Sequence, residues 1–265
     1  MNLNGKTALL SGATGGLGRA IANALAERGA RLILSSRKAA DLEQLAGSLP
    51  GTGHRTIVCD LAEEGAPLAL LEQAGDIDVL VANAALPGSG RLETFSQDEI
   101  GRALRVNLDA PVCMARDLLP VWQKRGSGHF VFISSLSGVA PLPRSSIYAA
   151  TKFGLRGFAL CLREDLRGSG VGVSVVSPGA IREAGMFADS GTTPPAVMGS
   201  GTPKQVARAV VRAIERDKSE VSVAPLRQRA FARFAMLAPE ISGRLMGPVA
   251  GKAADEVAAG QADKR

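Results

Sequence analysis

KTALLSGATGGLGRAIANALAER, Lys6 to Arg28, decides how the rest of the chain reads. Lys6 to Leu10 is a short apolar run that reads as a strand, and Ser11 to Gly18 follows it as a glycine-rich turn. From Ala20 to Arg28 the apolar residues take helical spacing. Strand, glycine loop and helix in this order are what a phosphate cradle requires. Backbone N–H groups at the helix N-terminus face an anion, and the glycines let it approach. The turn alone carries little weight, because tight turns use glycine for their own reasons; its two flanks give it meaning.

Working outward, the same alternation recurs. Arg31 to Ser36 is a second strand and Ala39 to Leu49 a helix stopped by Pro50 and Gly51. His54 to Cys59 is a third strand, running into Asp60, and Ala62 to Ala74 a further helix. Asp78 to Ala82 is a fourth strand, entering Asn83-Ala84-Ala85. His129 to Ser134, Val171 to Ser177 and Glu220 to Ala224 complete a set of seven. Strands separated by helices at this interval predict βαβ units, hence an α/β fold with a mostly parallel seven-stranded sheet and helices on both faces. Ligands of such sheets sit beyond the carboxyl ends of the strands, where Asp60 and Asn83 fall.

Arg37 and Lys38 stand just past the second strand, and no carboxylate occurs before Asp41. In dinucleotide-binding domains an acidic residue here accepts from a ribose 2′-OH, whereas a basic one accommodates a 2′-phosphate. The expected cofactor is therefore NADP(H) rather than NAD(H); the bland reading is a solvated helix start.

Ser96 to Glu99 is a capping box that predicts a long helix to about Arg125, with Pro111 and Pro120 inside it. Pro111 has no N–H, so the carbonyl of Asn107, four residues back, is released and can hold a water. A polar residue at a helix kink is more often structural. Further on, Ser135 leaves the fifth strand toward the carboxyl edge. Tyr148, the only tyrosine, and Lys152 are spaced i, i+4, so on a helix they share a face. A tyrosine on a helix is usually a structural one. His54 and His129 have no metal-ligand partners and read as structural.

The 265 residues fit one large α/β domain, and 46% hydrophobic with 21% charged content is ordinary for a globular chain. Cys59, Cys113 and Cys161 lie apart in apolar surroundings, which predicts free buried thiols in a reducing compartment. With no signal-like N-terminus and no run of about 18 apolar residues, a cytoplasmic, non-spanning protein is expected. The net charge of +6 invites a nucleic-acid reading. Scattered basic residues and the absence of any nucleic-acid motif argue against it, and an anionic small ligand accounts for the excess as well.

Ala180 to Gly201 is rich in Gly, Pro, Ser and Thr and suits a mobile flap. Thr202 to Gln205 is a capped helix start with Pro203 at the first position. Residues 1–225 form the expected cofactor-binding and catalytic domain and 226–250 a helical extension, with 251–265 a flexible tail. In the extension Leu226, Ala230, Phe234, Leu237, Ile241 and Leu245 recur at helical spacing between Arg227, Arg229, Arg233 and Arg244. The bland reading is a packed or dimer-forming helical pair broken at Pro239; a weak peripheral contact with anionic lipid is the alternative.

Together these motifs resemble the short-chain dehydrogenase/reductase family over nearly the whole chain. Its T-G-x-x-x-G-x-G motif is similar to Ser11-Gly12-Ala13-Thr14-Gly15-Gly16-Leu17-Gly18, with Ser replacing the first Thr. The Asn-Ala-Gly element resembles Asn83-Ala84-Ala85, the kink Asn resembles Asn107, and Tyr-x-x-x-Lys is Tyr148 to Lys152, with Ser135 thirteen residues before the tyrosine.

The resemblance implies a doubly wound Rossmann fold and hydride transfer between nicotinamide C4 and a carbonyl or alcohol carbon. It implies catalytic Asn107, Ser135, Tyr148 and Lys152. Cofactor contacts fall to Gly12, Thr14, Gly16, Leu17, Gly18, Arg37, Asp60, Leu61, Asn83, Ala84, Tyr148, Lys152, Pro178, Gly179 and Ile181. A lysine ammonium one turn away would lower the tyrosine pKa from about 10. Glu183 stands where the family often has a cofactor-bonding Thr, and is expected to point away.

Apolar Ala140, Leu142, Met186 and Phe187 predict a small lipophilic carbonyl or alcohol substrate, a 3-oxoacyl chain among the candidates, and the family suggests a homodimer or homotetramer. An alcohol or sterol dehydrogenase working oxidatively is the alternative within enzymes, and a non-catalytic cofactor-binding regulator the alternative outside them.

Overall fold

The computed structural model describes residues 1–184 and 199–261, and backbone alone at 245–250, 252 and 253. Strands β1 Thr7–Ser11, β2 Arg31–Ser36, β3 Arg55–Val58, β4 Val79–Ala82, β5 Gly128–Ile133, β6 Val171–Pro178 and β7 Glu220–Val223 form one sheet in the order β3-β2-β1-β4-β5-β6-β7. Every pairing is parallel. The main helices are α1 Gly16–Ala26, α2 Ala39–Ser48, α3 Ala66–Ala74, α4 Gln97–Leu104, α5 Ala110–Arg125, α6 Ser146–Asp165, α7 Pro203–Glu215, α8 Leu226–Leu237 and α9 Pro239–Ala259.

The near-continuous apolar strands follow from burial on both faces. Successive residues point to opposite sides, so Ala8, Leu10, Leu32, Leu34, Val79 and Val81 enter one core, which α1, α2 and α7 cover. Leu9, Ile33, Leu80, Phe130 and Phe132 enter the other, beneath α3, α5 and α6. Trp122 closes that second core with its ring 4.3 Å from Phe130, and its indole N–H donates to the Ile77 carbonyl at 3.0 Å. The Rossmann architecture is thus built as predicted. The strand order reverses between β1 and β4, which opens a crevice at their carboxyl ends.

The long helix expected after Ser96 is interrupted. Its capping box is present, with the Ser96 hydroxyl accepting from Glu99 N at 3.2 Å and the Glu99 carboxylate accepting from Ser96 N at 2.7 Å. Between α4 and α5, however, Arg105–Asp109 forms a π-turn, in which Ala110 N reaches back to the Arg105 carbonyl. Pro111 cannot donate to Asn107, so the hydrogen-bond ladder slips at this point.

The C-terminal region departs further from expectation. The periodic stripe Leu226, Ala230, Phe234, Leu237 and Ile241, expected to pack, faces outward, whereas Gln228, Ala232 and Ala235 face inward. Helix α9 continues past Gly251, where fraying was expected, to Ala259; Val257 and Ala258 are buried. The cysteines are free, but Cys161 is exposed and Cys59 and Cys113 only half-buried, not the buried thiols expected. Met186, Phe187 and most of the expected flap lie outside the described residues.

Candidate active site

Ser11 and Asn83 fix the glycine loop before any ligand is considered. The Ser11 hydroxyl accepts from the backbone N–H of Asn83 and of Ala84, both at 3.1 Å. The Asn83 side chain donates to the carbonyls of Ser11 at 3.1 Å and Gly12 at 3.0 Å. A serine hydroxyl therefore serves where the motif usually has threonine, and Asn83 acts by binding the loop to the end of β4. Gly12 has φ +64°, and a Cβ there would lie 2.8 Å from Ala84 Cα, so only glycine fits this turn. A Cβ at Gly18 would meet the Gly12 carbonyl, which is why α1 can begin so tightly against the loop.

Helix α1 has no side-chain cap and no acidic residue in its first turn. Its N–H groups and the helix dipole face the crevice, an arrangement that suits a pyrophosphate. Arg37, at the end of β2, keeps 55% of its side chain exposed and lies 3.9 Å from the Asp60 carboxylate. Arg102 approaches the same carboxylate from α4 at 3.8 Å, a cation that motif reading missed.

All the cofactor-contact residues named from the sequence line one cavity of about 750 Å3, from Gly12 and Thr14 through Arg37, Asp60 and Leu61 to Pro178, Gly179 and Ile181. Ser135, Tyr148 and Lys152 open onto the same space. Asn107 does not line it. Its side chain is 1% exposed and holds Leu86 from both sides, accepting from its N–H at 2.7 Å and donating to its carbonyl at 2.9 Å. The π-turn thus braces the chain just after Asn83.

Ser135 is brought to Tyr148 by close packing that the sequence gives no sign of. The Ser134 hydroxyl donates to the Lys152 carbonyl at 3.0 Å. A Cβ at Gly138 would lie 2.6 Å from that same oxygen, so the short turn Leu136–Gly138 can press against α6. Lys152 Nζ donates to the Ile133 carbonyl at 2.9 Å.

Burial dominates the electrostatics. It pushes the Tyr148 phenol up to about 12, a hydrogen bond with Ser135 pulling the other way. It pulls the Lys152 ammonium down to about 8. The lowered tyrosine expected from a neighbouring ammonium is therefore not found: desolvation raises the phenol, the Ser135 hydrogen bond is what opposes it, and Tyr148 is a phenol at neutral pH.

The substrate side is apolar, with Ala140, Leu142, Phe231, Ala232 and Val257 on the cavity wall. Gln228, buried on α8, joins Ala180 to Gly199. It accepts from Ala180 N at 3.2 Å and donates to the Gly199 carbonyl at 2.8 Å. Glu183 points away as expected, 72% exposed beside Arg182. Among the described residues no cluster of His, Cys, Asp or Glu could hold a metal, and no helix is long and apolar enough to cross a membrane.

A family model described as short chain dehydrogenase matches residues 6–194. The chain belongs to the short-chain dehydrogenase/reductase family. It is an oxidoreductase of the class acting on the CH–OH/C=O pair, and its family takes NAD(P)(H). "Ketoacyl reductase HetN" of Nostoc sp. is 39% identical over 227 residues, 83% of this chain and 79% of that one. A short-chain dehydrogenase from Streptomyces avermitilis superposes with a TM-score of 0.76 at 26% identity, over 94% of this chain and 98% of that one. A 3-oxoacyl (acyl-carrier-protein) reductase from Agrobacterium tumefaciens with NADP bound superposes at 0.74 with 27% identity, over 84% and 94%.

Proposed function

We propose that this oxidoreductase uses NADPH in preference to NADH and works as a reductase of a lipophilic ketone, a 3-oxoacyl chain being the first substrate to try. The observation that carries the reading is that Ser135, Tyr148 and Lys152 share one cavity with the glycine loop, Arg37 and an apolar wall. The uncapped N-terminus of α1 and the tight turn at Gly12 fit a dinucleotide pyrophosphate. Arg37, with no carboxylate at the end of β2, fits a 2′-phosphate. When bound, the nicotinamide supplies the hydride.

The chain's own residues hold the substrate oxygen and deliver its proton. Ser135 donates a hydrogen bond to that oxygen, stabilising the charge that develops on it. Tyr148, held as a phenol, is the proton donor, which suits reduction better than the oxidative direction. Lys152 replenishes the proton and holds ribose hydroxyls, and the Asn107 carbonyl connects the lysine to solvent through water.

In this reading residues 1–225 form the catalytic unit and 226–250 its extension. Free cysteines suit a reducing cytoplasm, and the exposed Val121 and Phe153 offer apolar surface for a homodimer or homotetramer. A screen of carbonyl compounds with NADPH oxidation as readout tests the function. Turnover of a 3-oxoacyl thioester supports it; inactivity on ketones and aldehydes alike, with NADPH bound, contradicts it.

A further inference from the structure

We infer that the outer face of α8, continued by Ile241 on α9, docks on an anionic lipid bilayer. The residue sizes on α8 are reversed from those of an ordinary surface helix, which turns its large apolar side chains inward. Here Gln228, Ala232 and Ala235 face the protein, while Leu226 is 76% exposed, Leu237 80%, Ile241 55%, Met236 48% and Phe234 40%. The helical period explains the split, since Leu226, Ala230 and Leu237 lie opposite Gln228, Ala232 and Ala235. Leu226 and Leu237 share this outward face with Arg229 and Arg233, and the exposed Phe234 and Met236 flank it; large apolar side chains turned outward mark a contact surface.

Charge identifies what covers it. Arg227, Arg229, Arg233 and Arg244 are all exposed in this stretch, against one carboxylate, Glu240. Long arginine side chains can lay their stems along apolar surface and lift their guanidinium groups to phosphate level. A second copy of the chain fits less well, because a two-fold contact through this face would set arginines against arginines. The inner face of the same helix contributes Gln228, Phe231 and Ala232 to the cavity, so docking brings the cavity wall to the bilayer, where lipophilic substrates concentrate.

The inference stands apart from the reductase reading, because its readout is binding. The full chain is sedimented with vesicles of phosphatidylcholine alone and of phosphatidylcholine with phosphatidylglycerol. It is expected to pellet with the second, to stay in solution with the first, and to be released by high salt. L226E/L237E should abolish binding, and R229A/R233A should weaken it by about tenfold or more; all four side chains are exposed, and melting curves confirm that both variants fold.

Equal binding to the two vesicle types, no binding, or binding that survives L226E/L237E would overturn the inference. So would a wild-type oligomer that ignores vesicles and is split by L226E/L237E, which would assign the face to self-association.

Discussion

Lys152 Nζ lies 5.6 Å from the centre of the Tyr148 ring and donates to the Ile133 carbonyl. The lysine is thus placed by the end of β5 as well as by its helix, and it is buried at 2% exposure. Burial draws its pKa from 10.5 to about 8. For the free enzyme, kcat/KM of reduction should therefore fall above about pH 8 as Lys152 loses its charge, with no tyrosine limb below pH 10. A pH profile showing a tyrosine limb near neutrality would contradict this assignment of charges.

The same burial predicts a trade of activity against stability. The lowered folded pKa means that the folded state disfavours the lysine's charge, a penalty complete below pH 8 and gone above 10.5. It amounts to roughly 3 kcal/mol, against which Lys152→Met loses the ammonium's hydrogen bond to Ile133, about 1.5–3 kcal/mol. Denaturant melts should find Lys152→Met at least as stable as wild type at pH 7, by up to ~1 kcal/mol, with the balance moving against the variant between pH 8 and 10.5. Reductase activity should be lost.

Gly138→Ala tests how Ser135 is placed. Its Cβ would lie 2.6 Å from the Lys152 carbonyl, which forces the turn carrying Ser135 off α6. A shift of even about 1 Å there should lower kcat by roughly a hundredfold with little change in cofactor affinity. Steady-state kinetics and a cofactor titration separate the two effects.

Gln228→Leu removes a donor and an acceptor that hold Ala180 and Gly199. Leaving both backbone groups without this partner should cost about 1–3 kcal/mol in a thermal or urea melt.

Arg37→Ser should lower kcat/KM for NADPH by about tenfold or more and leave that for NADH nearly unchanged. Parallel turnover with the two nucleotides reads the ratio.

The fold was legible because a parallel sheet buried on both faces writes itself as apolar runs between helices, as in Ala8 to Leu10 and Val79 to Val81. The glycine loop, Ser135, Tyr148 and Lys152 were legible because their chemistry fixes residue type and local spacing. What escaped depends on approach between distant segments. Gly138 matters only because the Lys152 carbonyl comes near it, and Gln228 only because α8 folds back over Ala180 and Gly199. The direction of the tyrosine shift was misjudged because i, i+4 spacing reports proximity to a charge and says nothing of how dry the site is. In α8 the periodicity was real, but a period does not tell which side of the helix meets the protein.

Tyr148→Phe tests the central claim most directly. The variant removes one hydroxyl from the cavity and leaves the ring in place, so folding and NADPH binding should match wild type. Single-turnover reduction of an active ketone with NADPH should then be slower by about a thousandfold or more, as expected when a proton donor is lost. Reduction at near wild-type rate by a folded, NADPH-binding Tyr148→Phe would contradict the account.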